Sequence, residues 1–239
     1  MYICVNSTQI MSLQQNIRVA VDAVIFGYES KSLSVLLIKR GVEPFKDSWA
    51  LPGGLVLEDE SLENAVKREL KEETGVKIDY LEQLYTFGKP NRDPRNRVVS
   101  ISYFGLVRPN HFTIKADTDA DEAQWFPINK IPKLAFDHKV ILNMAKKRLQ
   151  GKLQYQPIGF DLLNKEFPFS DLEQLYSTIL ENDIDRRNFR KKILSFGIVE
   201  ETDKISHQGS GRPAKLFRFN TSKYNELVKE GFHFEIKIV

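Results

Sequence analysis

The chain has 239 residues, of which 41% are apolar and 28% are charged, and its formal net charge is +3. This length and composition are typical of a globular protein with two domains, and they exclude a low-complexity or strongly charged disordered chain. Cys4 is the only cysteine, and neither a signal-peptide pattern nor an apolar run of roughly 20 residues is present, so we expect a cytoplasmic protein without a membrane partner.

The first 150 residues alternate strand and helix patterns. The strands are rich in β-branched residues, and the first predicted helix has a suitable N-cap in Ser61 and a suitable C-cap in Gly75. The predicted elements are strands at 18–28, 34–40 and 98–107 and helices at 61–74 and 138–149. This mixture predicts an α/β domain over residues 1–150.

The pattern changes in the remaining residues, 151–239. After a short polar-aromatic linker, the run 170–182 places apolar residues on one helix face, and a tight turn leads to a second helix with its own apolar stripe at 186–196. Two β-like runs at 197–203 and 214–220 follow. The order of helix, turn, helix and β-hairpin predicts a second, smaller domain.

Three glutamates on the first predicted helix pose an electrostatic problem. Glu69, Glu72 and Glu73 fall within an arc of roughly 100° on one helix face, the face that also carries Ala65 and Val66. Carboxylates at the rim of a core or cleft repel each other more than they do in open water, and a hard divalent cation such as Mg²⁺ or Mn²⁺ resolves that repulsion. The alternative is a solvated charged helix in which neighbouring Lys and Arg side chains neutralise the glutamates.

The wider spacing matches a known pattern. Gly54, Glu60, Arg68, Glu69, Leu70, Glu72, Glu73, Gly75 and Val76 fill every fixed position of the Nudix box, and residues 49–53 are similar to the approach to that box. The resemblance implies an α/β/α sandwich with a mixed sheet and the hydrolysis of nucleoside diphosphate derivatives. It also implies that Glu69, Glu72 and Glu73 are metal ligands or the base acting on water, that Glu60 assists them, and that Gly53 and Gly54 form the turn. Arg68 would orient a carboxylate.

Two further stretches are candidates for the ligand pocket. The proline-broken loop 88–97 is rich in arginine and either clamps phosphates or forms a solvated basic turn. Asp137 and His138 begin a helix, where they either hold a ligand or serve as a capping Asp beside an exposed His. Both stretches resemble those of the Nudix-related transcriptional regulators, in which a winged helix follows the Nudix domain. The predicted ligand-binding residues are Arg40, Gly53, Gly54, Arg92, Asp93, Arg95, Asp137 and His138.

The second domain is basic, with nine Lys or Arg against three Asp or Glu between Arg186 and Arg218. Helix-turn-helix spacing followed by a glycine-rich, positive hairpin tip is similar to a winged helix, and it predicts contact with operator DNA. The alternative is an accessory or dimerisation domain with a solvated basic face. The predicted DNA-binding residues are Arg186, Arg187, Asn188, Arg190, Lys191, Arg212 and Lys215.

Two functions therefore remain open. In the first, the protein is a transcriptional regulator, expected to be a homodimer, whose Nudix domain senses a small effector such as ADP-ribose or a sugar. In the second, it is a Mg²⁺-dependent Nudix hydrolase of the ADP-ribose class. The intact box leaves enzyme activity undecided from sequence.

Overall fold

The computed structural model describes residues 16–78, 81–114, 120–206, 213–231 and Phe234. Its first part is built on one seven-stranded sheet with a helix on each face. The strands are β1 (Arg18–Glu29), β2 (Ser32–Arg40), β3 (Trp49–Ala50), β4 (Gly53–Leu55), β5 (Glu82–Phe87), β6 (Val98–Val107) and β7 (Ala120–Pro127). The helices are α1 (Leu62–Thr74) and α2 (His138–Tyr155). Strands β3, β4, β5 and β7 were not among the predicted elements.

The sheet is mixed, as predicted. Its main order is β3-β2-β1-β6-β5, with β4 paired to β1 and β7 paired to β2. Strands β1 and β6 run parallel, from Arg18 opposite Val98 to Gly27 opposite Val107, and the other pairs are antiparallel. The central strands are buried on both faces, which explains why they read as nearly continuous apolar runs.

Alternation along β1 assigns each helix to its face of the sheet. Val21, Ala23 and Ile25 pack with the apolar side of α1, whereas Val24 and Phe26 pack with that of α2. This is the expected α/β/α sandwich. Ser61 caps α1 by accepting a hydrogen bond from the Asn64 N–H, and Gly75 ends it in the left-handed region, so both predicted caps are confirmed.

Within the described residues, the second part has a three-stranded sheet and three α-helices. The strands are β8 (Phe167–Pro168), β9 (Val199–Ser206) and β10 (Ala214–Phe219), in the order β8-β10-β9. The helices are α3 (Phe169–Leu180), α4 (Arg186–Ser195) and α5 (Thr221–Lys229). The predicted helix, turn, helix and hairpin are confirmed, while β8 and α5 are additions. Helix α2 continues to Tyr155 instead of ending near Leu149.

The two parts share one hydrophobic core. A single cluster of buried side chains runs from Val24 in the large sheet, through α2 and α3, to Phe217 in the small sheet. Polar contacts tie the same surfaces together: Lys146 Nζ lies 2.6 Å from Glu181 Oε1, and Gln150 Nε2 donates to the Ile179 carbonyl at 3.0 Å. The C-terminal half of α2 is therefore packed against the first helix of the second domain.

None of the helices in the described part of the chain is both long enough and apolar enough to cross a membrane.

Candidate functional site

A cavity of about 400 Å³ opens between β4, α1 and the start of β6. Two glycines form part of its wall. Gly53 has φ +154°, and a Cβ built there would lie 2.1 Å from the Val21 carbonyl oxygen. A Cβ at Gly54 would lie 2.4 Å from Glu69 Oε1. The two glycines lie in strand β4, so the expected turn is wrong for them, and their lack of side chains lets the strand pass directly between β1 and the glutamates of α1.

The three clustered glutamates line this cavity, at the cleft rim where their helix position predicted them. Glu73 is buried, and its Oε2 accepts a hydrogen bond of 2.8 Å from the Gly53 N–H. Glu69 is largely buried and Glu72 is more exposed, with 15% and 42% of their side-chain surface accessible. Burial raises the pKa of Glu69, although the Arg68 hydrogen bond acts in the other direction.

Arg68 holds the carboxylates in place. Its Nε and Nη2 donate to the two oxygens of Glu60 at 3.0 and 2.5 Å, and its Nη1 donates to Glu69 at 2.8 Å and Glu72 at 3.2 Å. The bond to Arg68 is the main reason that the pKa of Glu60 is lowered. The expected orienting role of Arg68 is thus matched by one guanidinium bonded to three carboxylates.

Hard oxygen donors on one cavity wall fit a divalent cation in their chemistry. Within the described residues, however, no three His, Cys, Asp or Glu side chains are grouped closely enough to hold a metal ion. In this arrangement Arg68 is bonded to Glu69 and Glu72. The metal-ligand role of Glu69, Glu72 and Glu73 stays a prediction.

Arg92 is anchored beneath the cavity. Its side chain is only 6% exposed, and its Nε and Nη2 donate to the two Asp137 oxygens at 3.1 and 2.7 Å. Nη2 also donates to Asp22 Oδ2 at 3.2 Å. The alternative of a solvated basic turn is therefore wrong for Arg92, which ties loop 88–97 to the start of α2 and to β1.

Asp22 and Ser100 were missed by the sequence reasoning. Asp22 is buried in β1, accepts a 2.5 Å hydrogen bond from Ser100 Oγ, and lies 3.4 Å from His138 Nε2 through its Oδ1. A lone Asp inside an apolar strand was the available signal, because a buried carboxylate requires partners. Those partners lie 70 or more residues away along the chain.

His138 is buried and neutral. The Leu51 N–H donates to its Nδ1 at 2.9 Å, and burial lowers its pKa. Asp137 makes no side-chain cap bond to α2. The alternative of a capping Asp beside an exposed His is therefore wrong. Through these contacts His138 binds the backbone at Leu51, and Asp137 binds Arg92 of loop 88–97.

Cationic side chains complete the cavity wall. Arg95 is half-exposed and pairs with Asp93 at 2.7 Å, and this bond lowers the pKa of Asp93. Arg40 donates from Nε to the Pro44 carbonyl at 2.9 Å and packs over the Phe136 ring at 4.9 Å. Of the predicted ligand residues, five line this cavity: Arg40, Gly53, Gly54, Asp93 and Arg95.

The predicted DNA-binding residues fall into two groups on the second domain. Arg186, Arg187 and Lys191 are exposed on α4. The other described members are engaged: Asn188 Nδ2 donates to the capping Asp185 at 2.6 Å, Lys215 pairs with Glu201, and Arg190 packs over an aromatic ring. Arg212 lies outside the described residues.

Comparison with known proteins matches both parts of the chain. A family model described as NUDIX domain matches residues 16–144, and one described as NrtR DNA-binding winged helix domain matches residues 159–219. The ADPR responsive transcriptional repressor NtrR of Acinetobacter baylyi is 35% identical, over 86% of this chain and 83% of its own. The ADP-ribose pyrophosphatase of Methanocaldococcus jannaschii is 46% identical, over 52% of this chain and 70% of its own.

Two solved structures are also similar to this chain. Shewanella oneidensis NrtR complexed with a 27mer DNA is 30% identical with a TM-score of 0.73, covering 92% of this chain and 99% of that one. The Nudix domain of the same protein complexed with ADP ribose is 34% identical with a TM-score of 0.52, covering 61% of this chain and 99% of that one.

Proposed function

The chain belongs to the family of NrtR-type regulators, which join a Nudix domain to a winged helix, and we propose on that basis that it is a DNA-binding transcriptional regulator that responds to ADP-ribose. The observation that carries the proposal is the likeness over nine-tenths of the chain to a protein crystallised on DNA, whose Nudix domain was also crystallised with ADP ribose. A hydrolase alone has no use for a helix-turn-helix followed by a hairpin.

The effector site in this proposal is the cavity between β4 and α1. Its wall combines Arg18, Arg40 and Arg95 with the two glycines of β4, so it offers cationic donors to a diphosphate and room for the backbone to approach it. Its volume of about 400 Å³ lies within the usual range for small-molecule sites. A nucleotide sugar supplies the two phosphates that these arginines would bind, whereas a free sugar does not.

The DNA site in this proposal is the exposed face of α4. Asp185 caps the helix through the Asn188 N–H, so the first turn is ordered while Arg186 and Arg187 project into solvent. Such a helix start is suited to phosphates and base edges in the major groove. We further propose a homodimer, because helix-turn-helix proteins read symmetric half-sites in pairs, and a cytoplasmic location, because the partner is operator DNA.

A second candidate function is the hydrolysis of ADP-ribose. It is favoured by the complete box motif, of which Gly54, Glu69, Glu72 and Glu73 line one cavity, and by the likeness to an ADP-ribose pyrophosphatase. The cofactor would be a divalent cation, Mg²⁺ before Mn²⁺, held by Glu69, Glu72 and Glu73. When bound, it would supply positive charge that offsets the leaving phosphate and lowers the pKa of water. Arg68 would keep Glu60, Glu69 and Glu72 oriented, and their hydrogen bonds to its guanidinium are already present in the structure.

The regulator proposal is tested by DNA binding. Selection from a pool of randomised duplexes yields a bound sequence, and fluorescence anisotropy then measures its affinity with and without ADP-ribose. We expect salt-sensitive binding that ADP-ribose changes and free ribose leaves unaltered, and DNA must change ADP-ribose affinity by the same factor. No enriched duplex would contradict the DNA-binding function, and indifference to ADP-ribose would contradict the assigned effector.

The hydrolase proposal is tested separately by AMP release from ADP-ribose in the presence of Mg²⁺. Glu73→Gln should abolish the release, because it removes a carboxylate that lines the cavity and accepts the Gly53 N–H. Glu58→Gln, an exposed glutamate outside the fixed box positions, is the matched control and should keep full activity. If the unmutated protein releases no AMP, the domain is a sensor only.

A further inference from the structure

One basic side chain on α4 makes contacts unlike those of its neighbours. The Arg190 guanidinium carbon lies 4.5 Å from the centroid of the Phe169 ring and 5.1 Å from that of the Phe217 ring. Arg187 and Lys191 on the same helix are exposed, and within the described residues neither takes part in an ion pair or ring contact. Arg190 thus has two aromatic partners inside the protein, although it remains exposed to solvent.

The two rings belong to different elements. Phe169 is the first residue of α3, and Phe217 lies in β10, the middle strand of the small sheet. Both are buried, and they pack edge to face with centroids 5.4 Å apart. Phe189, the neighbour of Arg190 on α4, packs against Phe169 at 6.1 Å. Arg190 therefore covers the junction at which the two helices of the helix-turn-helix meet a strand of the hairpin.

A guanidinium suits this junction better than an ammonium. Its planar, weakly hydrated group stacks on ring faces, whereas the compact ammonium of Lys is strongly hydrated. Arg190 also interacts electrostatically with α3. Burial raises the pKa of Glu173 on that helix, and the positive charges of Arg186 and Arg190 act in the opposite direction. Contacts with α3 and β10 together restrain how α4 is oriented relative to the hairpin.

We propose that Arg190 is a positioning residue. It fixes the angle between α4, the helix proposed to read the DNA, and the β9–β10 hairpin, which is the wing of the winged helix. It is not itself a phosphate contact. This inference rests on the proposed DNA-binding function. Helix and wing must reach the groove and the backbone at the same time, so a preset angle lowers the ordering cost of binding. Loss of the side chain would then weaken binding without changing the number of phosphates that the protein neutralises.

Salt dependence separates the two roles. On B-form DNA, the slope of log affinity against log salt concentration falls by about 0.9 for each phosphate that the protein no longer neutralises. The variants are Arg190→Met and, as the matched control on the same helix, Arg187→Met, both in the full chain and measured on the selected duplex. We expect Arg190→Met to bind on the order of tenfold more weakly at every salt concentration with an unchanged slope. Arg187→Met should lower the slope by about 0.9.

Arg190→Lys guards against loss of folding and tests the stacking itself. Lysine keeps the charge, so the salt slope of DNA binding should stay the same, yet the affinity should remain below that of the unmutated protein. Thermal unfolding shows whether each variant is folded. A slope for Arg190→Met that drops as it does for Arg187→Met, affinity equal to the unmutated protein, or full rescue by Lys would each overturn the inference. Absence of binding by the unmutated protein would instead refute the proposed function.

Discussion

Replacement of Gly53 by alanine isolates the role of the glycine at the start of β4, beside the candidate site. The new Cβ would lie 2.1 Å from the Val21 carbonyl oxygen, whereas a carbon and an oxygen normally keep about 3.3 Å apart. The obstacle is backbone, in the strand to which β4 is paired, so no rotamer change relieves it. Strand β4 must move away from β1 by about 1 Å, and the bond from the Gly53 N–H to Glu73 moves with it.

The cost has two sources. A non-glycine residue held at a φ of +154° is strained by about 1–3 kcal/mol, and each ladder hydrogen bond broken between β1 and β4 costs about 0.5–1.5 kcal/mol. A total of about 3 kcal/mol is a large share of a typical stability of about 5–15 kcal/mol. For a chain of this size it corresponds to a fall in Tm of about 6–12 °C. ADP-ribose affinity should fall as well, because the cavity wall shifts.

Gly151→Ala is the matched control, with the opposite expected sign. A Cβ at Gly151 meets nothing within 4 Å, and the residue lies inside α2, where alanine is favoured over glycine by about 1 kcal/mol. Thermal unfolding followed by circular dichroism should therefore show Gly53→Ala below the unmutated protein and Gly151→Ala slightly above it. Equal Tm values for the two variants would refute the steric argument at Gly53.

Three further predictions follow from the buried network and the helix cap. Arg92→Met leaves Asp22 and Asp137 without their shared partner, so urea denaturation should show a loss of about 3–5 kcal/mol, and an unchanged midpoint would contradict a structural role for Arg92. His138 has a folded pKa lowered by burial, so the unfolded state binds a proton first and stability is lost as the pH falls below about 6.5. Unfolding curves from pH 7 to pH 5 should therefore fall less steeply for His138→Gln than for the unmutated protein, and parallel curves would show that His138 does not cause the slope. Asp185→Ala removes the cap of α4 and should lower the free energy of unfolding by about 0.5–2 kcal/mol. The salt slope of DNA binding is the quantity to measure, and it should stay constant.

The sequence predicted those helices and strands whose own residues carry the pattern, such as cap residues or apolar spacing. Helix α1 was found from its cap residues and apolar spacing, and β6 from its run of β-branched and aromatic residues. Strand β5 was missed because half of it is open to solvent at the edge of the sheet, and β7 because its sequence ADEAQWFP carries charges and a proline. These two strands are formed by pairing with β6 and β2, and a window along the sequence does not contain that partner.

The same limit applies to the candidate site: local motifs could be found from the sequence, and contacts between distant segments could not. Residues of the box could be placed because the motif lies within one loop and one helix. The roles of Arg92 and Arg190 depend on contacts between distant segments: Arg92 meets Asp22 across 70 residues, and Arg190 meets ring faces of two other elements. Helix periodicity placed Arg190 on the exposed side of α4, but it contained no information on the rings beside that helix.

The hydrophobic core that continues from one domain into the other affects local unfolding of the protein. Buried side chains of α2, α3 and β10 belong to one cluster, so the winged helix loses part of its own packing whenever the Nudix domain unfolds. Regions that share a core in this way exchange their amide hydrogens as one cooperative unit. ADP-ribose bound in the cavity would stabilise the folded state by about 2.7 kcal/mol at a hundred times its Kd, and the winged helix would share in that protection. Hydrogen exchange in α3 should then slow on addition of ADP-ribose, far from the cavity proposed as its binding site.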